Sequence, residues 1–282
     1  MAHTPGGIVE PANMLNVTLA DGTVIRELAS HDERFEAVRI QDETWGPTFT
    51  ERVPSAILLV AQKTGGVCAG AFSPDGRLLG FVFGMTGIRD GHLIHWSDML
   101  AVRAEAQGQH LGEALKHYQR DRCREAGIET MYWTFDPLVA RNAHLNLNRL
   151  GASIEEFVPD MYGAHTSSPL HAFGTDRFVA AWNMQAALVP LPSEPSLLAG
   201  APVVADAGAK AEAVSPALPD VPAVAVRIPA DYHALLGVDA ERAHAWRKAT
   251  RRAFQHYFSR GYRVTAFVTG SGHATYLLSR TD

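Results

Sequence analysis

Cysteine is nearly absent from the sequence. Cys68 and Cys123 stand alone among 282 residues, neither within a Cys-x-x-Cys pair. That leaves no disulfide framework and no thiolate zinc site, and it fits a reducing compartment. Long apolar runs are missing as well: stretches such as Ala56–Ala61 fall far short of the roughly 18–20 residues of a membrane helix. Met1–Gly7 carries neither a basic nor an apolar signal region, so a cytoplasmic location without a membrane partner is expected. Neither charge sign dominates, with a net charge of −5 and a pI near 6.2, which gives the whole chain no pull toward nucleic acid. No Gly-x-Gly-x-x-Gly follows a strand, no Walker loop or His-Glu-x-x-His occurs, and the 13 histidines lack ligand spacing. Dinucleotide, P-loop and metal chemistry are not expected.

What remains is the mix of an ordinary globular protein, with 46% hydrophobic and 20% charged residues. Proline divides it. Seven of the 16 prolines lie between Ala187 and Pro222 in an alanine-rich stretch, which reads as an extended linker. It separates residues 1–186 from a smaller unit, 223–282. In the first part, a short strand (Thr23–Leu28) precedes helices near Asp32–Thr44 and Pro54–Lys63. Three strand-like runs follow (66–73, 77–87 and 92–102), separated by Pro74-Asp75-Gly76 and Arg89-Asp90-Gly91, sequences suited to tight turns in an antiparallel meander. A helix is expected over Leu111–Ala126 and closed by Gly127, then a strand over Thr130–Phe135, a helix over 138–149 and strands near 153–158 and 176–183. The order predicts an α/β protein with a mixed, mostly antiparallel sheet flanked by helices. The last unit reads as a strand (223–228), a helix (239–260) and a hairpin (262–269 and 273–280) turned at Gly270-Ser271-Gly272. With Ala243, Trp246, Thr250, Ala253, Phe254 and Tyr257 on one helical stripe, this α+β unit is too small to bury much surface alone. It is expected to pack on the first domain or on a partner subunit, which leaves a homodimer open.

The segment from His92 to Lys116 draws attention on physical grounds. A strand ends, a short polar loop (Gln107-Gly108-Gln109-His110) turns, and a helix begins with Gly112 in its first turn. Free N–H groups and the positive end of the helix dipole suit such a turn to a phosphate, although a glycine before a helix is often a turn and nothing more. The segment resembles the acyl-CoA-binding motif of the GNAT superfamily of N-acyltransferases, Arg/Gln-x-x-Gly-x-Gly/Ala opening a helix after a long strand. Gln107 fills its first position and Gly112 its last, while His110 stands where the family usually has glycine. Asp98–Val102, Trp133–Leu138, Asn142–Ala152, Met161–Gly163, Gly174–Phe178 and the C-terminal Trp246-Arg247, Phe254 and Gly261-Tyr262 resemble a branch of that superfamily which includes amino-acid N-succinyltransferase-like members.

The resemblance implies a GNAT fold whose central strands splay apart, and acetyl-CoA or succinyl-CoA as co-substrate. It places the backbones of Leu100, Ala101 and Val102 against pantetheine, and the amides of Gln107, Gly108, Gln109, His110, Leu111, Gly112 and Glu113 on the pyrophosphate. The Glu113 side chain is expected to point outward, away from that diphosphate. Asn142 lies near a CoA-contacting asparagine of the family, or, with Asn146 and Asn148, caps or hydrogen-bonds locally. Arg149 stands where a basic residue approaches the nucleotide, or is an ordinary surface arginine. Acyl transfer to an alkylamine also needs a base to deprotonate the acceptor. Asp98, four residues before Val102, occupies a place where some members carry that base; the alternatives are a turn cap or an arginine partner. If strand alternation holds, Asp98, Leu100 and Val102 share one face, and His95, Ser97 and Met99 the other. The tyrosine that often serves as acid would fall at Leu147, so Tyr162 is the substitute, or the thiolate leaves unaided. An arginine fork for an acceptor carboxylate could come from Arg141, Arg177 or Arg89. The expected activity is transfer of an acetyl or succinyl group to the amine of a small molecule such as an amino acid. Two other readings stay open: a CoA binder that has lost catalysis, and an interaction module using the C-terminal helix, whose segment Asp239–Arg263 has a surplus of five positive charges.

Overall fold

The computed structural model describes residues 16–163, 174–207 and 218–280. Met1–Gly7 and residues 208–217 of the proline-rich stretch lie outside the described residues. In chain order the elements are β1 (Val17–Thr18), β2 (Val24–Glu27), α1 (His31–Trp45), α2 (Ser55–Lys63), β3 (Val67–Phe72), β4 (Leu78–Arg89), β5 (His92–Val102), α3 (Leu111–Glu125), β6 (Thr130–Phe135), α4 (Ala140–Ala143), β7 (Ser153–Val158) and β8 (Arg177–Asn183). Then come β9 (Val203–Ala205), β10 (Ala223–Pro229), α5 (Tyr232–Val238), α6 (Ala240–Phe258), β11 (Tyr262–Thr269) and β12 (His273–Arg280).

Local chemistry accounts for the elements that frame the site. Ser30 caps α1 by accepting from Glu33 N–H at 3.1 Å, and the Glu33 carboxylate accepts in return from Ser30 N–H. Asp90 and Gly91 take positive φ between β4 and β5, as a two-residue hairpin turn requires. The helix expected over 138–149 changes character midway: after α4, residues His144–Arg149 continue as a π-helix, with Leu150 N–H donating to Leu145 O at 2.9 Å.

Eight strands form the first sheet in the order β1-β2-β3-β4-β5-β6-β8-β7, antiparallel throughout except for the parallel pair β5–β6. This is the mixed, mostly antiparallel sheet expected, with helices on both faces. One face packs on α1 and α2 around Leu28, Ile40, Leu58, Phe81 and Phe83. The larger core lies on the α3 side and runs without interruption into the C-terminal part, from Leu115 and Trp133 to Phe178, Phe254 and Tyr276.

A second sheet, β11-β12-β10-β9, carries the C-terminal residues. Its strand β9 comes from the stretch read as linker and pairs parallel to β10, and α5 is a helix that the sequence reading leaves out. The six stripe residues of α6 are all buried. The unit is tied to the first sheet by polar as well as aromatic contacts. Tyr276 Oη donates to Pro137 O at 2.8 Å, and Asn148 Nδ2 donates to Phe267 O at 3.1 Å. Phe178 meets Phe254 edge-on with ring centres 4.7 Å apart. Arg247, buried on α6, grips Asp136 through two hydrogen bonds of 2.8 and 2.5 Å. Arg251 reaches Asp160 and Asp176. Two of the cations that made α6 look like an interaction surface are thus turned inward to carboxylates.

Candidate active site

The site begins where two strands part. β5 and β6 pair only at Ile94–Thr130, His95–Met131 and Trp96–Tyr132. Beyond that rung β5 stays on β4 to Val102 while β6 stays on β8 to Phe135, so Ser97–Val102 have an open edge. Arg103 N–H donates to Leu79 O at 2.8 Å, and the register pairs Ala101 with Phe81 and Val102 with Gly80. By the alternation of an antiparallel ladder, Ala101 directs its N–H and C=O to β4, while Leu100 and Val102 direct theirs into the gap. Of the three backbones expected to meet pantetheine, two face the gap and that of Ala101 is committed to the sheet. The Val102 carbonyl accepts from the Gln107 side chain at 3.0 Å.

Asp98 sits at a β-bulge. Ser97 pairs with Gly84 and Met99 with Phe83, leaving Asp98 as the extra residue. Gly84 has no room for a side chain opposite the bulge, since a Cβ would lie 2.7 Å from the Trp96 carbonyl oxygen. The bulge also corrects the expected alternation. His95 and Ser97 bond Gln119 and Lys116 on α3, and Leu100 packs beside Gly112 on the same helix. Met99 and Ala101 face the α1–α2 side. His95, Ser97, Leu100 and Val102 therefore share the α3 face, because one inserted residue shifts the period by one.

At the other end of the gap is the turn into α3. Gly108 has φ +81° and His110 φ +59°. His110 holds the left-handed conformation that a glycine adopts freely, at a cost of roughly 1–2 kcal/mol. Its side chain is exposed and lies 3.5 Å from Glu113. The backbone path at the position where the family has glycine is therefore available to this histidine. Among the described residues, Ala114 is the first amide after Gln107 with an intrachain acceptor, His110 O at 3.0 Å. No hydrogen bond from the amides of Gly108–Glu113 to an acceptor among the described residues meets the usual geometry. Glu113 is turned toward Arg149, 3.0 Å away, rather than standing alone at the helix dipole. Arg149 is in turn held at this helix start.

A polar cluster lines the far side of the bulge. The Asp98 side chain is open to solvent, yet desolvation by the surrounding protein raises its pKa above the ordinary carboxylate value. Glu51, from the loop between α1 and α2, and Tyr162 lie within electrostatic reach of Asp98. Thr134 Oγ1 and Tyr162 Oη are hydrogen-bonded at 2.9 Å, and the Arg177 guanidinium lies 5.3 Å from the centre of the Tyr162 ring. Burial raises the Tyr162 pKa, although the Thr134 bond and the Arg177 charge oppose it, so the phenol keeps its proton. Arg177 donates to Asp176 O at 2.9 Å and stands 4.0 Å from Asp136.

Asp98, Tyr162 and Arg177 are thus brought together. Arg141 is exposed on α4, where its charge is felt by His233 of α5, and Arg89 lies at the β4–β5 hairpin end, 5.0 Å from the Tyr132 ring. Asn142 is half-buried on α4, whereas Asn146 and Asn148 hold Trp133 Nε1 and the carbonyls of Leu191 and Phe267. Leu147, where an acid would fall by resemblance, is fully buried in the π-turn. Glu51 and Thr134 were not singled out in the sequence; a loop glutamate and a strand threonine carry no pattern.

No family model matches the chain, and no curated protein matches it. Solved structures do resemble it. The ribosomal-protein-S18-alanine N-acetyltransferase of Escherichia coli aligns at 16% identity and a TM-score of 0.46, over 58% of this chain and 96% of that one. A GNAT-family acetyltransferase of Streptococcus pneumoniae aligns at 17% identity and a TM-score of 0.46, over 57% and 98%. The yncA protein of Salmonella typhimurium, solved with its cofactor acetyl-CoA, aligns at 17% and 0.45, over 60% and 97%. These are likenesses of chain path, and each leaves about two fifths of this chain unmatched. What the site can do follows from its own residues.

Proposed function

We propose that the protein is a CoA-dependent N-acyltransferase of the GNAT type, moving an acetyl or succinyl group to the amine of a small molecule, an amino acid being the class the site suits best. The observation that carries this reading is the continuity of the gap. It runs from a bulged carboxylate, past the open backbone edge of Leu100 and Val102, to a turn of unpartnered amides at the start of α3. A pantetheine chain can bond the strand edge while its pyrophosphate takes the helix N-terminal amides.

In this reading, Asp98 accepts a proton from the acceptor ammonium, and the freed amine attacks the thioester carbonyl. A carboxyl with a raised pKa suits that task better than an ordinary one. Tyr162, kept protonated, supplies a proton to the departing thiolate. Arg177 offers its guanidinium to an acceptor carboxylate, and Glu51 adds negative charge for the ammonium. Asn142 and Arg149 are assigned to the CoA side.

A thiol-release assay with acetyl-CoA and succinyl-CoA, against a panel of L- and D-amino acids and small polyamines, tests this proposal. Acceptor-dependent release supports it. CoA binding with no release across the panel points instead to a binder without catalysis. The Arg149–Glu113 pair gives a second check. Arg149→Ala leaves the Glu113 charge beside the diphosphate and is expected to weaken CoA binding about threefold, a size typical of exposed ion pairs. Glu113→Gln should strengthen it by a similar factor, with both effects shrinking in high salt. Calorimetric titration with CoA reads both.

A further inference from the structure

Lys116 has no role in the chemistry above, yet it is one of the few charged side chains buried among the described residues, at 3% exposure. It projects from the second turn of α3. Its Nζ donates to Ser97 Oγ at 2.7 Å and lies 4.2 Å from the centre of the Trp133 ring. No carboxylate among the described residues forms an ion pair with it. Ser97 and Trp133, which its amine meets, are the first residues beyond the last rung joining β5 and β6, Trp96–Tyr132. One amine therefore sits in the fork where the strands part, holding a hydroxyl on one prong and an aromatic face on the other. Both partners are fixed: Ser97 adjoins the Asp98 bulge, and Trp133 Nε1 donates to Asn146 Oδ1 at 3.1 Å.

We propose that Lys116 is a positioning residue, tying Ser97 to Trp133 at the fork and so fixing the width of the β5–β6 gap and the setting of the Asp98 bulge. Its effect on turnover rests on the acyltransferase reading, while its effect on the strands does not. Burial supports the assignment from another direction. It pushes the amine down to about 7, so the fold keeps a lysine where an apolar residue of the same length would be easier to bury. The neighbouring titratable groups are His95, held between Thr86 and Gln119 and pushed down to about 3 by burial and the Lys116 charge, and Cys123 on α3, within electrostatic reach of the amine.

The test compares Lys116→Met and Lys116→Gln in the full chain, with Ser97→Ala as the variant that removes the partner and leaves the core volume intact. In the protein without CoA, amide hydrogen exchange at Met99 and Ala101, the residues beyond the bulge whose backbones face β4, should quicken at least tenfold in K116M and S97A and remain near wild type elsewhere. Among enzymes of equal foldedness, kcat should fall at least tenfold in K116M, with KM for acyl-CoA changed less than threefold. K116Q, which keeps a donor to Ser97, should recover kcat to within threefold of wild type. Melting temperature in K116M should hold or rise, whereas a merely structural contact would lower it. Wild-type exchange at Met99 and Ala101 in folded K116M and S97A would overturn the proposal. If the wild-type protein releases no thiol, the acyltransferase reading fails, and the exchange contrast still decides Lys116.

Discussion

Asp98→Asn is expected to lower turnover by about a hundredfold or more, within the range that a positioned general base supplies. CoA affinity should stay within twofold of wild type, because the side chain stands at the bulge and not at the α3 turn. The rise of kcat with pH should report deprotonation of Asp98, with a midpoint above that of an ordinary carboxylate, since desolvation raises its pKa. The asparagine enzyme should lack that limb. Stability moves the other way. A carboxyl whose folded pKa is raised contributes its stability at low pH and loses it as pH climbs through that value. At neutral pH, removal of the charge should therefore leave the melting temperature unchanged or slightly higher. A pH–rate series with parallel melting curves reads all of this; unchanged turnover across pH would remove Asp98 as the base.

The largest effect on stability is expected from Asp136→Asn. Asp136 lies just past the end of β6, with its side chain only 13% exposed, and is held by both terminal Arg247 nitrogens. Desolvation pushes its pKa up, but the Arg247 charge and hydrogen bonds, with help from Arg177, outweigh this and leave it below the ordinary value. The substitution strands the Arg247 guanidinium in the interior, which typically costs about 3–5 kcal/mol. At roughly 2–4 °C per kcal/mol for a chain of this size, the melting temperature should drop by about 10 °C. Arg247→Met combined with Asp136→Asn should recover most of the loss, since a buried pair replaced on both sides is far less damaging than one left half-broken. Because the folded pKa of Asp136 is depressed, the pair contributes above the ordinary carboxylate pKa and is lost as pH falls through the folded value. Wild type should therefore lose its advantage over the double variant in acid. Equal melting temperatures for wild type and Asp136→Asn at neutral pH would show that the pair does not hold the C-terminal unit in place.

Much of this framework was legible in the sequence because it is written in local chemistry. Asp90-Gly91 and Gly270-Ser271-Gly272 announce their hairpins. The candidate site was legible in part, and largely through resemblance. Asp98, Tyr162 and Arg177 stand 79 positions apart in the chain at their extremes, and only the sheet order β5-β6-β8 gathers them. The bulge at Asp98 is invisible in one strand, because it is defined by Gly84 and Phe83 on the neighbour. Lys116 looks like any polar position of an amphipathic helix until Ser97 and Trp133 close over it. The basic run in α6 suggested an external partner because nothing in it reveals that Arg247 and Arg251 answer Asp136, Asp160 and Asp176. β9 was hidden by the prolines around it, which signal an extended path without saying that part of the path joins a sheet.

The most direct measurement is amide hydrogen exchange of the wild-type chain with and without acetyl-CoA. Exchange should slow in two places at once: at Leu100 and Val102 along the open edge of β5, and across Gly108–Glu113 at the start of α3. Protection confined to any other surface, or none at millimolar acetyl-CoA, would contradict this expectation.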